Sequence, residues 1–182
     1  MKLIFLHGPP ASGKYSIAQG LNESWNVLNF HNHLTIDVAK ALFEFGTPEF
    51  WDLTHRLRRL ALGAKAPDPE ASVVFTNCYS SPDDDANVLA LEEEVIRGGG
   101  DFLPVYLQCD VEELRRRVVD PSRASMRKLH TTKGLEDFLS RWNCVPLDRH
   151  NCVTVSTGGK GVADCVEEIA RRLSLDRPKA AT

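Results

Sequence analysis

The sequence predicts an α/β fold on a mostly parallel sheet. Short apolar runs rich in β-branched and aromatic residues alternate with longer stretches of helical periodicity. A glycine-rich turn joins the first apolar run to the first helical stretch, as in a strand–loop–helix unit. The predicted strands are Leu3–Leu6, Val27–Phe30, Ser72–Thr76, Phe102–Gln108 and Cys152–Val155. The first helix is predicted over about Lys14–Asn22, with Ile17, Ala18 and Leu21 facing the sheet. A pair follows the second strand, about Leu34–Phe45 and Pro48–Ala64, divided at Gly46. The second of these should bury a stripe of Phe50, Leu53, Leu57 and Leu60. Ser81-Pro82 suits a helix start with proline at the first position, and Gly98-Gly99-Gly100 ends that helix. Asp110 with Glu113 has the spacing of a capping box. A last helix over about Val162–Leu173 places Val162, Cys165, Val166, Ile169 and Leu173 on one face, with Arg171 and Arg172 at its negative end.

At 182 residues, 42% hydrophobic and 26% charged, the chain fits one domain over residues 1–175, with a frayed polar tail over 176–182. The formal net charge of −3 gives no general pull toward nucleic acid or an anionic membrane. No apolar stretch approaches the roughly 20 residues of a membrane span. Five cysteines without a Cys-x-x-Cys pair read as reduced, mostly buried residues of a cytoplasmic protein. The expected state is a monomer or homodimer.

Gly8, Pro9, Pro10, Ala11, Ser12, Gly13, Lys14, Tyr15 and Ser16 form the chemical motif. Gly8-x-x-x-x-Gly13-Lys14 between a strand and a helix is a Walker A pattern. Successive backbone N–H groups must curl around a polyphosphate, and glycines permit the dihedrals and the close approach. The helix N-terminus adds partial positive charge. Lys14 brings a mobile cation to the β- and γ-phosphates. The expected ligands are ATP and Mg²⁺. The residue after Lys14 is Tyr15, where the common pattern has Ser or Thr for Mg²⁺, and the hydroxyl comes one place later at Ser16.

Gly-Pro-Pro-x-Ser-Gly-Lys-x-Ser is similar to the loop of adenylate kinases and other small-molecule P-loop kinases. The layout of the chain also resembles shikimate and gluconate kinases. The resemblance implies a three-layer P-loop fold of the nucleoside-monophosphate-kinase type, with a five-stranded parallel sheet. It implies that Ser16 serves the phosphates and a largely water-held Mg²⁺, with Asp37 or the run Asp83-Asp84-Asp85 as further metal candidates. The third strand ends at Thr76-Asn77, where many relatives carry an aspartate. The acceptor-side helices would span about 31–65 and a short lid about 117–134.

The second strand runs into Phe30-His31-Asn32-His33-Leu34-Thr35-Ile36-Asp37, a polar cluster where open α/β sheets bind ligands. Asp37 is the first candidate general base and His31 the second. His31-x-His33 as a metal site, and simple capping of the next helix, are the alternatives. On the following helix, Arg56 and Arg59 share a face and could grip an anionic acceptor, near His55 and Arg58. Asn77, Cys78 and Tyr79 should border the same pocket. By the resemblance, lid arginines approach the transferring phosphoryl group. Arg117 and Arg123, with Lys128 as a third, are the candidates within Leu114–Arg117, Asp120–Arg123 and Met126–Lys128. Ser156-Thr157-Gly158-Gly159 would pass the adenine. The expected activity is ATP-dependent phosphoryl transfer to a small polar or anionic metabolite. A regulatory P-loop protein with slow ATP hydrolysis and a kinase for RNA ends are the alternatives.

Overall fold

The computed structural model describes residues 1–125 and 128–177. Its centre is a five-stranded parallel sheet of β1 (Lys2–His7), β2 (Leu28–Phe30), β3 (Ser72–Asn77), β4 (Asp101–Gln108) and β5 (Val153–Ser156), in the order β2-β3-β1-β4-β5. Parallel strands need crossover helices, which cover both faces, so the strands are apolar on both sides. In β1, Ile4 and Leu6 meet α1 (Lys14–Trp25) and α8 (Val162–Arg172) through Ile17, Leu21, Val166 and Ile169. Leu3 and Phe5 point the other way, into a cluster with Leu62 of α3 (Pro48–Lys65) and Leu91 and Val95 of α4 (Asp85–Arg97). The remaining helices are α2 (His33–Lys40), α5 (Val111–Val118), α6 (Pro121–Ser125) and α7 (Thr132–Arg141). The last of these packs Leu135 on Leu114 and Val118 of α5. Among the described residues no helix is long and apolar enough to cross a membrane.

Several local expectations are corrected. The second helix stops at Lys40 instead of Phe45, because Leu42 and Phe43 turn back to bond Ala39 O at 3.1 and 2.9 Å. This turn sends Phe45 against Phe50 and Trp51. In α3 the buried line is Phe50, Thr54, Arg58 and Leu62, while Leu60 is exposed. A fully buried phenylalanine set the phase of the helix against the sheet, and an arginine came in with it. Pro82 does not open α4, which begins at Asp85. The carboxylates there fold back onto the turn: Asp84 accepts from Ser80 N at 2.9 Å and Asp85 from the Tyr79 hydroxyl at 2.6 Å. These bonds engage two of the three carboxylates of the acidic run that was a metal candidate. The Asp110 box does not form, since Glu113 is taken by Arg116 and Arg117. Val162 is exposed at the start of α8. Of the cysteines only Cys165 is buried, and the other four are half-buried and free. Met126, Arg127 and residues 178–182, parts of the predicted lid and tail, lie outside the described residues. Arg177 sits over the Trp25 ring and pairs with Glu167.

Candidate active site

The loop between β1 and α1 has the backbone of a phosphate cradle. Gly8 has φ +146°, and a Cβ there would stand 2.7 Å from Leu107 O, closer than any side chain tolerates. Gly13, at φ +98°, caps α1 in the left-handed region. These two glycines let the main chain curl and present the amides at the start of α1. The Ser12 hydroxyl is buried in the loop and has no protein partner, an unmet polar group suited to an anion's oxygen. Lys14 Nζ lies back over the loop, donating to Gly8 O at 2.8 Å and Pro9 O at 2.7 Å. Beneath the loop, at the end of β1, His7 is wholly buried and stacks on Phe5. Burial, then the charge of Lys14, pulls its pKa down to about 3, so the ring is neutral.

A cleft of about 650 Å³ opens from this loop across the carboxyl end of the sheet. On one side stand Arg117, Arg123 and Lys128. Arg117 is held by Glu113 at 2.6 Å and by Thr157 O at 2.7 Å, next to Gly13. Arg123 Nε donates to Leu129 O at 2.9 Å. Lys128 Nζ lies 3.7 Å above the centre of the Tyr15 ring, a cation–π contact. Its pKa is drawn down to about 8 by burial and by Arg123 and Lys14. Tyr15, the residue in the usual Ser/Thr position, thus acts as a platform between the lid and the β2–α2 segment. Its other neighbour is His31, edge to face at 5.8 Å.

The opposite side is built from β2, α2 and α3. His31 and His33 line the cleft, and both imidazoles are held below their ordinary pKa, first by burial. His31 Nδ1 is buried without a protein partner. The segment is fixed from behind by Arg58, which is 5% exposed. Its guanidinium donates to Asn32 Oδ1 and, at 3.3 Å, to Thr35 Oγ1, and lies over the Phe75 ring at 5.5 Å. Among the described residues no carboxylate makes an ion pair with it, and desolvation lowers its pKa to about 10, with Asp84 opposing. Asn32 N donates to Thr76 Oγ1 at 3.2 Å, which ties the segment to the end of β3.

Sheet order, loop and flanking helices together match a set of solved structures. Gluconokinase from Sinorhizobium meliloti superposes with a TM-score of 0.61 at 16% identity, over 95% of this chain and 91% of that one. Shikimate kinase from Aquifex aeolicus gives 0.55 at 19% identity, over 96% of each chain. APS kinase CysC from Mycobacterium tuberculosis, in complex with AMPPNP and APS, gives 0.64 at 14%, over 95% and 97%. The chain has the fold of the P-loop small-molecule kinases. No family model matches the sequence, nor does any curated protein.

On this P-loop kinase fold the predicted residues separate into two groups. Lys14, Tyr15, Ser16, His31, His33, Asn77, Arg117 and Arg123 line the cleft together. Asp37 does not: it is exposed on α2 outside the lining, because the buried face of that helix carries Thr35, Ile36 and Ala39. Its carboxylate acts on His31 and His33 only through space, favouring their protonation. Arg56 and Arg59 are also outside the cleft lining. Arg56 is exposed and pairs with Asp52 at 3.4 Å, while Arg59 borders a separate small cavity behind Asn77. The phase of α3 explains both, since burying Arg58 turns its neighbours away. Tyr79 faces the core and only Asn77 and Cys78 reach the cleft. Arg117, read as a lid arginine, is anchored to the loop after β5. His31 and His33 have no third His, Cys, Asp or Glu within metal-binding reach among the described residues. Sequence reasoning gave Arg58 no distinct role and missed Phe45 and Trp51, which also line the cleft. The Phe50, Thr54, Arg58, Leu62 spacing of four was the signal available for Arg58.

Proposed function

We propose that this chain is an ATP-dependent phosphotransferase acting on a hydroxyl of a small molecule. The observation that carries this reading is the continuity of one cleft from the P-loop lysine to His31, with the lid cations above. ATP would lie with its phosphates on residues 8–16, its γ-phosphate toward His31 and its base toward Arg117 and Thr157. The donor set suits Mg²⁺ carried chiefly by phosphate oxygens. Ser16 offers a hydroxyl, and β3 ends in Asn77 instead of a carboxylate. When bound, the ion would offset charge on the β- and γ-phosphates.

The acceptor oxygen attacks the γ-phosphorus as its bond to the β–γ bridging oxygen breaks, and ADP leaves. The proton of the acceptor hydroxyl passes to His31, which is neutral at pH 7 because burial and Lys128 disfavour its cation. Lys14, Arg123 and Lys128 meet the charge spread over the transferring group. His31 takes the proton role in place of Asp37, since a base must come within hydrogen-bond reach of the hydroxyl. The test is ADP release with Mg²⁺-ATP, with and without a panel of hydroxyl compounds. A rise of at least tenfold with one acceptor, absent in Lys14→Ala, supports the reading. Slow ADP release that no acceptor changes would replace it with a regulatory ATPase.

A further inference from the structure

The far end of the cleft is aromatic. Trp51 and Phe45 meet edge to face at 5.7 Å, and Phe45 is 59% exposed although it stands on the cleft wall. Ile36 lies beside them, and Phe138 of α7 faces the cleft from the lid side. The indole is stacked on His55 at 5.9 Å and 24°, and that ring contact fixes its orientation. His55 is kept neutral by burial, which lowers its pKa to about 4.

The charges are distributed unevenly. Lys14, Arg117, Arg123 and Lys128 cluster at the P-loop and lid. On the α2–α3 side Arg56 is turned outward and Arg58 is spent on Asn32 and Thr35. Arg59 borders the separate cavity behind Asn77, and Lys40, which does line the cleft, lies over the Phe45 ring at 4.9 Å. An acceptor carboxylate placed at this end would meet Lys40 as the one cation among the described residues, drawing it off the Phe45 ring, and would shed its water against aromatic faces, which is unfavourable. A flat ring gains contact with Phe45 and Trp51 instead.

We infer that the acceptor is an uncharged hydroxyl compound carrying an aromatic or heteroaromatic ring, the ring packing on Phe45 and Trp51 and the hydroxyl reaching the His31 side. This rests on the phosphotransferase reading for its reaction, but not for its binding. It narrows the polar or anionic metabolite expected from sequence to a neutral, ring-bearing alcohol.

The test is intrinsic tryptophan fluorescence of the full chain with Mg²⁺ and a non-hydrolysable ATP analogue. The probes are thymidine, pyridoxine and 4-hydroxybenzyl alcohol against gluconate and shikimate. At least one ring compound should give a saturable change, weakened about tenfold by Phe45→Ala and abolished in Trp51→Phe. The acids should give none. Phe45 is exposed, so Phe45→Ala should keep its circular dichroism, and Trp51→Phe keeps a ring in place. Saturable binding of gluconate or shikimate, ring binding indifferent to Phe45→Ala, or no saturable response to any ring compound would overturn the inference. A second arm with γ-labelled ATP separates the two readings. A ring compound that binds at Phe45 but never gains label removes the kinase reading and leaves this one standing. A labelled acid with inert ring compounds does the reverse.

Discussion

At one end of the cleft, the machinery is main chain and one cation, the phosphate cradle of Gly8, Gly13, the amides of α1 and Lys14, with the lid cations reaching over it from elsewhere in the chain. At the other it is side chains from β2, α2 and α3, held in place by a buried arginine and ending in an aromatic corner. The first end depends on a contiguous stretch of nine residues. The second depends on the phase of α3, on the turn after Lys40 and on contacts between residues 23 and 44 positions apart, such as Arg58–Thr35 and Asn32–Thr76. Phosphate recognition is therefore a local property of this chain, and acceptor recognition a tertiary one.

Substitutions at the two ends should break the protein in different ways. The largest effect is expected for Lys14→Ala, with turnover falling at least about 10³-fold and thermal stability nearly unchanged, measured by ADP release and calorimetry. Next is His31→Gln, with kcat reduced about 10²-fold. Its pH profile is the sharper readout. The wild type should lose kcat/KM as pH falls below the depressed pKa of His31, where the ring becomes cationic, and the variant should lack that acid limb.

Arg58→Met should act through structure. It frees Asn32 and Thr35 from their donor and removes a half-satisfied buried charge. The acceptor KM should rise about tenfold while ATP binding stays intact, with a stability change within about 2 kcal/mol. An equal loss of ATP affinity would contradict the division of the cleft. Lys128→Arg probes the lid: Lys128 is charged below pH 8 and neutral above it. The wild type should therefore lose kcat/KM for ATP as pH rises through about 8, and the variant should shift that limb upward.

The smallest effect concerns His7. Its folded pKa of about 3 lies below the ordinary 6.5. The unfolded chain therefore takes up a proton that the folded one refuses. The stability this neutral ring permits is fully present above pH 6.5 and is lost as pH falls toward 3. His7→Phe should flatten that part of the unfolding-midpoint curve without altering activity at pH 7.

The same division governs how much could be read beforehand. All five strands, and the layers they imply, follow from apolar runs and breakers, because a parallel sheet covered on both faces leaves an almost continuous hydrophobic signature. The P-loop is legible because its chemistry needs neighbours in sequence. Asp37, Arg56 and Arg59 fall outside the cleft lining for one physical reason: a helix shows several polar residues in every two turns, and only packing decides which face turns inward. Phe45 belonged, by periodicity, to a helix that in fact ends five residues earlier. Its meeting with Trp51 depends on a turn closed by backbone bonds to Ala39. Tyr15, noted as a departure from the common loop, gains its meaning only from Lys128 and His31, which come from elsewhere in the chain.

The most direct test of the account follows the γ-phosphoryl group itself in a single turnover, with labelled Mg²⁺-ATP on excess enzyme and a neutral ring-bearing alcohol as acceptor. One labelled organic phosphate should form for each ADP, with little inorganic phosphate, and both should be lost in Lys14→Ala. Label recovered as inorganic phosphate at the same rate with and without acceptor, or transfer that survives Lys14→Ala, would contradict the account.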